Sequence, residues 1–481
     1  MKFNKIINFF TYIYIIFLFI YSFLINVTRL GYSNDVFYYP DKVRDACVSQ
    51  FINKYNIKPE EAPWCGNCKQ EYHLKNSKIY YYLLAPFSFS NDGSSLLYFC
   101  SFWFALMIPL VFILTTLTSN MYAGVLAATI MFQCNFMLKY ITWMPYQSLF
   151  TPTMSIIFLI FLVLAKKYNS IWYFLFSSIT LFLGIQFHLS FLLLGILYFW
   201  LFLKLFKELK GRKLVIISII IVFLGLFLFF NTDFIISLPD TVSYPSVQIA
   251  SFSNFKTLLL KGIFDHYNDI FGKTYLFIYV FVLFFILNFR KYKYKFLFLT
   301  LMFYPLFAVG SHVNNYLTVL YIPIFIVLFS SIVLGLKNKF LFIFILSLVI
   351  CLNDGKPFEE HVSFGISPTF VSRNFLSEIN HDLDQFTKNI PRYCVYKCKD
   401  NNLINFDAGY FFYKIWIGES NKSYFETACD DDVSLTDSQE NFFYCTEDDC
   451  KSVFENSNYK IYNFEKISSK GDRSFYLINR K

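Results

Sequence analysis

Residues 6–27 read IINFFTYIYIIFLFIYSFLINV, twenty-two residues without one charged side chain. About 20 consecutive apolar residues span the hydrocarbon core of a bilayer. The run is apolar all round, as a lipid-immersed helix is and a surface helix in water is not. It has a basic start in Lys2 and Lys5, but it is long for a signal-peptide core and lacks a small-residue cleavage site. It therefore reads as a retained first transmembrane helix. Similar runs follow at roughly 97–117, 121–138, 151–165, 170–187, 190–205, 214–231, 274–289, 296–311, 315–336 and 339–352. The fold class expected from them is an α-helical polytopic membrane protein with about eleven transmembrane helices. With 56% hydrophobic residues and a mean hydropathy of +0.45, the chain is more apolar than a soluble domain of 481 residues.

Charge location orients the spans. With the N-terminus inside, the cytoplasmic segments carry Lys2 and Lys5; Lys166 and Lys167; Lys204, Lys207, Lys210, Arg212 and Lys213; Arg290, Lys291, Lys293 and Lys295; and Lys337 and Lys339. Glu208 is the only acidic residue among them, and the short outer loops are almost free of Lys and Arg. This is the bias that sets membrane orientation. It also accounts for the net charge of +9 without nucleic acid, because the basic residues sit in short clusters between apolar runs. Three outer segments are large: a first loop 28–96, a loop 232–273 with mixed charge, and a tail beyond 352. The expected organisation is a transmembrane domain over 1–352 and an extracytoplasmic C-terminal α+β domain over 353–481. In the tail, short runs over 411–417, 460–464 and 474–478 have the composition of strands.

Cysteine placement agrees with this sidedness. Cys47, Cys65, Cys68, Cys394, Cys398, Cys429, Cys445 and Cys450 all fall in outer segments, where an oxidising compartment favours disulfides. At least two bridges are expected, and Cys100 could take the odd cysteine of the loop. Cys65-Gly-Asn-Cys68 also has the spacing of half a zinc knuckle or of a redox pair.

The first loop holds the densest polar signal. Asp41, Arg44 and Asp45 recur at i, i+3 and i+4, so a helix beginning at Asp41 would present them on one face. A carboxylate beside an arginine stays ionised and can accept a proton or orient a hydroxyl. The same pattern also suits a capped, solvated helix start, for which Pro40-Asp41 is a good signal. Farther along, Lys75 and Lys78 precede the aromatic stretch Tyr80-Tyr81-Tyr82. Lysines there could hold a phosphate at the membrane surface, or could simply anchor the segment at that depth. Gln186, His188 and Ser190 interrupt an apolar run at an outer helix end, and His312, Asn314, Asn315 and Tyr316 form a similar tight turn. Ionisable groups at membrane depth are candidates for function, although a histidine at a helix end is also a common structural element.

Together these pieces resemble the GT-C membrane glycosyltransferases of the protein-mannosyltransferase and aminoarabinose-transferase type. Asp41-Lys42-Val43-Arg44-Asp45-Ala46 is similar to that family's Asp-x-x-Arg-Asp-Ala at the start of the first outer loop, and Tyr80-Tyr81-Tyr82-Leu83-Leu84-Ala85-Pro86 to the segment that ends it. Thr142-Trp143-Met144-Pro145 resembles its Trp-Asn-Pro element, with Met144 in place of Asn. Gly184 to Ser190 resembles its Gln-x-His-x-Ser element. Tyr316 to Pro323 is similar to its His-Tyr-Leu…Pro segment, with Asn315 where histidine is common. The resemblance covers roughly 1–350.

The resemblance implies transfer of a sugar from a polyprenyl-phosphate-linked donor to a glycan, lipid or protein acceptor at the outer face of the cell membrane. No cluster near Asp41 has metal-ligand spacing, so neither a metal nor a cofactor is expected. The resemblance makes Asp41 the acceptor base, with Asp35 as rival because it lies nearer the exit of the first helix. Lys78, then Lys75, are the phosphate partners it suggests, and Arg44, Asp45, Gln186, His188 and Tyr316 are further substrate contacts. An O-antigen-type polymerase or ligase is the alternative, but outer loops poor in arginine beyond the first argue against it. A transporter or flippase would need broken helices with charges near the midplane, and the apolar runs carry few charges.

Overall fold

The computed structural model describes residues 2–27, 45, 48–50, 52–54, 56, 58–59, 78–89, 94–134, 137, 141, 147–208, 257, 270, 276–288, 293, 297, 319–334, 339–352, 393–397, 423–427, 440–446, 462–470 and 473–480. The helices are α1 (Lys2–Val27), α2 (Lys78–Leu84), α3 (Ser94–Ala105), α4 (Met107–Thr118), α5 (Met121–Gln133), α6 (Thr151–Tyr168), α7 (Ile171–Phe187), α8 (Gly195–Glu208), α9 (Leu276–Asn288), α10 (Ile322–Val333) and α11 (Lys339–Leu352). Helix is present in nine of the expected spans; 214–231 and 296–311 lie outside the described residues apart from residue 297. Among the described residues, three stretches are long and apolar enough to cross a membrane: Asn8–Val27, Ser95–Thr118 and Gln147–Tyr168. Met121–Gln133, Ile171–Phe187, Ile322–Val333 and Leu341–Ile350 are shorter apolar helices. The chain is a membrane protein.

Its residues fall into two units. One comprises Met1–Val27, Lys75–Tyr80 and Cys100–Val362; the other comprises Thr28–Leu74, Tyr81–Phe99 and Ser363–Lys481.

In the first unit, α1 shows how an all-apolar helix is used. Ile15, Leu18, Ser22 and Asn26 are buried, a stripe at helical spacing, while Phe9, Phe10, Tyr12, Ile16, Phe17 and Leu24 stay exposed. That exposed aromatic face suits lipid. The stripe is fastened by two hydrogen bonds, Tyr14 Oη with Thr129 Oγ1 at 2.9 Å and Asn26 Nδ2 to the Ser101 carbonyl at 3.4 Å. A turn at Leu106 separates α3 from α4. Pro109 explains it, since its ring lacks an N–H and would crowd the carbonyl of Ala105 in a continuous helix.

Small and polar residues set the helix contacts, as they do in lipid, where burying hydrocarbon against hydrocarbon gains little. A Cβ on Gly124 of α5 would come within 3.0 Å of the Phe112 carbonyl oxygen and would also collide with Thr116 Oγ1. At the α4–α5 turn, Asn120 accepts from Ala123 N at 3.1 Å and caps α5, while its Nδ2 donates to the Leu334 carbonyl at 2.7 Å. Thr118 and Ser331 share a hydroxyl contact of 3.3 Å beside it. Such a cap and such a bond each contribute about 1 kcal/mol.

In the second unit, β1 (Tyr393–Lys397), β2 (Ser423–Thr427), β3 (Glu440–Thr446), β4 (Tyr462–Lys470) and β5 (Arg473–Arg480) form one sheet of order β2-β1-β3-β5-β4. β1 runs parallel to both β2 and β3, and β5 runs antiparallel to both β3 and β4. Two of the expected strand runs correspond to β4 and β5, and 411–417 lies outside the described residues. Gly471-Asp472 between β4 and β5 is a two-residue hairpin signal. The parallel pairs need long crossovers instead, which hides them from any local reading of the sequence.

Candidate functional site

The candidate site residues fall in both units. In the second unit, residues 45, 48–50 and 52–54 are helical, and Asn56, left-handed at φ 52°, closes this segment through its N–H to the Ile52 carbonyl at 3.0 Å. Asparagine tolerates that conformation at a helix end. Asp45, Ser49 and Asn53 recur every four residues and so share a face. The Asp45 side chain is fully buried, and its Oδ1 accepts from the Tyr81 hydroxyl at 3.0 Å. The Ser49 hydroxyl donates to the Asp45 carbonyl at 2.6 Å, and Asn53 Nδ2 donates to the Ala85 carbonyl at 2.8 Å. Two hydrogen bonds thus join the start of the first long loop to its end.

Ala85–Phe87 continues α2 as a 3-10 turn with Pro86 near its start, where a missing N–H is tolerated. Phe87 stacks on Phe99 at 3.7 Å and 8°, and Tyr82, Leu83 and Phe89 remain exposed.

In the first unit, Tyr80 is fully buried in an aromatic cluster. Its ring lies edge-on to Phe150 at 5.7 Å and to Phe187 at 5.8 Å, while Phe150 and Phe187 stack at 5.5 Å. Trp103 lies 6.0 Å from Phe150 and donates from Nε1 to the Phe150 carbonyl at 3.4 Å. The Trp103 carbonyl accepts from Thr153 Oγ1 at 3.1 Å. Gln186 is buried beside Phe187, and His188 follows as the C-cap of α7. The His188 N–H reaches the Gly184 carbonyl and its own carbonyl accepts from Phe191 N, both at 3.0 Å. Gly184 is needed here, because a Cβ would collide with the Phe191 ring.

Of the residues singled out in the sequence, Asp45, Gln186 and His188 are placed as described. Lys78 is the first residue of α2, with only its backbone described, and Ser190 lies in the 3-10 turn Leu189–Leu194. Asp35, Asp41, Arg44, Lys75, Tyr316 and the segment Thr142-Trp143-Met144-Pro145 lie outside the described residues. So do Cys47, Cys65, Cys68, Cys398, Cys429 and Cys450; Cys394 and Cys445 lie in β1 and β3, and Cys100 is a buried thiol. Among the described residues, no group of three or more His, Cys, Asp or Glu could hold a metal ion. Asn53, Trp103 and Phe150 were not singled out from sequence. The four-residue spacing of Asp45, Ser49 and Asn53 was the available signal for Asn53, whereas Phe150 sits in an apolar run that does not distinguish it.

No family model matches the chain, and no curated protein matches it in sequence. Among solved structures the chain is similar to the oligosaccharyltransferase of Archaeoglobus fulgidus in complex with zinc and sulfate, at 11% identity and TM-score 0.48, over 95% of this chain and 72% of that one. It is similar to ArnT from Cupriavidus metallidurans bound to undecaprenyl phosphate, at 10% identity and TM-score 0.49, over 96% of this chain and 98% of that one. A third structure, the Archaeoglobus fulgidus oligosaccharyltransferase AglB with an inhibitory peptide and a dolichol-phosphate, aligns at 11% identity and TM-score 0.44, over 96% of this chain and 74% of that one. At TM-scores below 0.5 these likenesses assign no residue a role.

Proposed function

We propose that the chain is a glycosyltransferase that moves a sugar from a polyprenyl-phosphate-linked donor to an acceptor at the outer face of the cell membrane. The observation that carries this reading is the Asp45–Tyr81 hydrogen bond. It pairs Asp45 with Tyr81, one residue from each of the two parts of the first loop whose sequences carry the family resemblance.

The chemistry asks little of the protein. Polyprenyl phosphate is a good leaving group, so no strong general acid is needed. Asp41, or Asp35 in its place, draws the proton from the acceptor hydroxyl as that oxygen bonds to the anomeric carbon. The bond from that carbon to the phosphate oxygen breaks, and the phosphate leaves with the electron pair. Lys78, with Lys75 as second choice, and Arg44 meet the phosphate charge. Gln186 and His188 supply hydrogen bonds to sugar or phosphate, as does Tyr316.

The orientation that goes with this chemistry places the N-terminus in the cytoplasm and the C-terminal α+β domain outside, with about eleven spans between. Single cysteines introduced within 204–213 should be shielded from a membrane-impermeant maleimide in intact cells and labelled after lysis. Labelling in intact cells would reverse the topology and remove the first loop from the outer face.

The direct test is binding of a long-chain polyprenyl phosphate to the purified protein in nanodiscs. Saturable binding is expected for the wild type. Lys78→Ala should weaken it about tenfold, the size of a hydrogen bond to a charged group, with little change in thermal stability. Unchanged affinity in that variant would move the phosphate to Lys75 or Arg44, and no binding by the wild type would overturn the reading.

A further inference from the structure

We propose that the end of α6 and the start of α7 hold an anionic phospholipid, with Lys166 and Lys167 meeting its headgroup and the exposed face of α7 meeting an acyl chain. The inference rests on the membrane class of the chain and not on sugar transfer. All the residues concerned belong to the first unit. The stretch Gln147–Tyr168 is 22 residues long and apolar enough to cross a membrane. At about 1.5 Å per residue it measures about 33 Å, close to the ~30 Å of a hydrocarbon core. Its end therefore lies at the boundary between hydrocarbon and water, and Lys166, Lys167 and Tyr168 form that end. Asn169, left-handed at φ 49°, closes α6, and the Ser170 N–H reaches the Ala165 carbonyl at 3.3 Å. α7 begins at the next residue and packs back along α6.

Charge and apolar surface meet at this turn. Lys166 Nζ lies 5.2 Å from the ring centre of Trp200 in α8, which holds one ammonium where three helices converge. Lys167 is exposed, and its Nζ lies 5.4 Å from the ring centre of Tyr168, which packs on Tyr173 at 5.9 Å. No Asp or Glu occurs in the sequence between Asp92 and Glu208, so α6 and α7 bring no carboxylate of their own to this end. Running into the membrane from the turn, Trp172, Phe176 and Ile179 recur at i, i+4 and i+7, and all three are exposed, Trp172 by two-thirds. An indole at this depth combines an apolar body with an N–H that reaches the headgroup layer. Positive charge at the head of an apolar stripe complements an anionic amphiphile. A soluble anion would use only the lysines, and a zwitterionic lipid would gain little from them.

The test uses the full-length protein in nanodiscs that contain either phosphatidylglycerol or phosphatidylcholine brominated near the top of one acyl chain, at equal fractions. Bromine quenches indole fluorescence on contact, and the difference between wild type and Trp172→Phe isolates the Trp172 signal. Trp172 should be quenched preferentially by the anionic lipid, with a preference of about fivefold for each lysine, the usual contribution of one lysine near an anionic lipid surface. Lys167→Gln should cut that preference about fivefold, and Lys167→Arg should keep it. Because Lys167 is exposed, neither change should shift thermal unfolding. Equal quenching of Trp172 by the two lipids would overturn the proposal, as would an unchanged preference in Lys167→Gln. Loss of the preference in excess inorganic phosphate would make this a site for soluble anions and overturn it too. Quenching by neither lipid would mean that another protein surface covers Trp172, with the same consequence.

Discussion

Asp41→Asn is expected to abolish sugar transfer while the protein stays inserted in the membrane and still binds polyprenyl phosphate. Asparagine keeps the size of aspartate and much of its hydrogen bonding, but it cannot accept the proton of the acceptor hydroxyl. A positioned base contributes about 10²–10⁴-fold in rate, so the loss should be near total when incorporation of labelled sugar from the lipid-linked pool is followed in cells. Donor affinity should survive, because it depends on the cations and the lipid chain. Asp35→Asn should be milder. Asp45→Asn should fall between them, since that carboxyl group is buried and can act only by holding its surroundings. Near-wild-type turnover in Asp41→Asn with none in Asp35→Asn would transfer the role to Asp35. Turnover in both would defeat the mechanism.

Phe150→Ala is expected to destabilise the protein by about 3 kcal/mol or more, the usual loss when a buried aromatic ring is truncated to alanine. Phe150 is almost fully buried and lies within 6.0 Å of the rings of Tyr80, Trp103 and Phe187. In lipid the gain from burying apolar surface is small, so the loss arises from ring contacts that no neighbour can replace. Trp172 is two-thirds exposed, and Trp172→Ala serves as the contrast with a small effect. Phe150→Leu should recover part of the loss. Thermal unfolding of the purified protein in detergent, read by monodispersity after heating, checks all three. Equal midpoints for Phe150→Ala and wild type would mean that the cluster does not support the fold.

The sequence carried its information at two scales. Uncharged runs near twenty residues and the lysine and arginine bias are local quantities, and helix does occupy 2–27, 95–118 and 147–168. β4 and β5 were also readable, because they are adjacent and joined by Gly471-Asp472, so that pairing is local. β1, β2 and β3 were not read as strands. Their partners lie tens of residues away in a parallel arrangement, and each is too short for its periodicity to stand out.

The same division holds at the candidate site. Asp45 was picked out by its spacing from Asp41 and Arg44, and Tyr81 belonged to a run of three tyrosines. Nothing in the order of residues says which tyrosine reaches which partner. In the structure Tyr80 meets Phe150 and Phe187, Tyr81 donates to Asp45, and Tyr82 stays exposed. Successive side chains on a helix point about 100° apart, so the run spreads over three directions and packing assigns each one. Composition and charge thus determined the membrane class, since both are sums over a local window that any bilayer reads alike. The burial of Asp45 against Tyr81 was decided only in the folded chain, because a hydrogen bond between residues 36 positions apart exists once packing has brought their segments together.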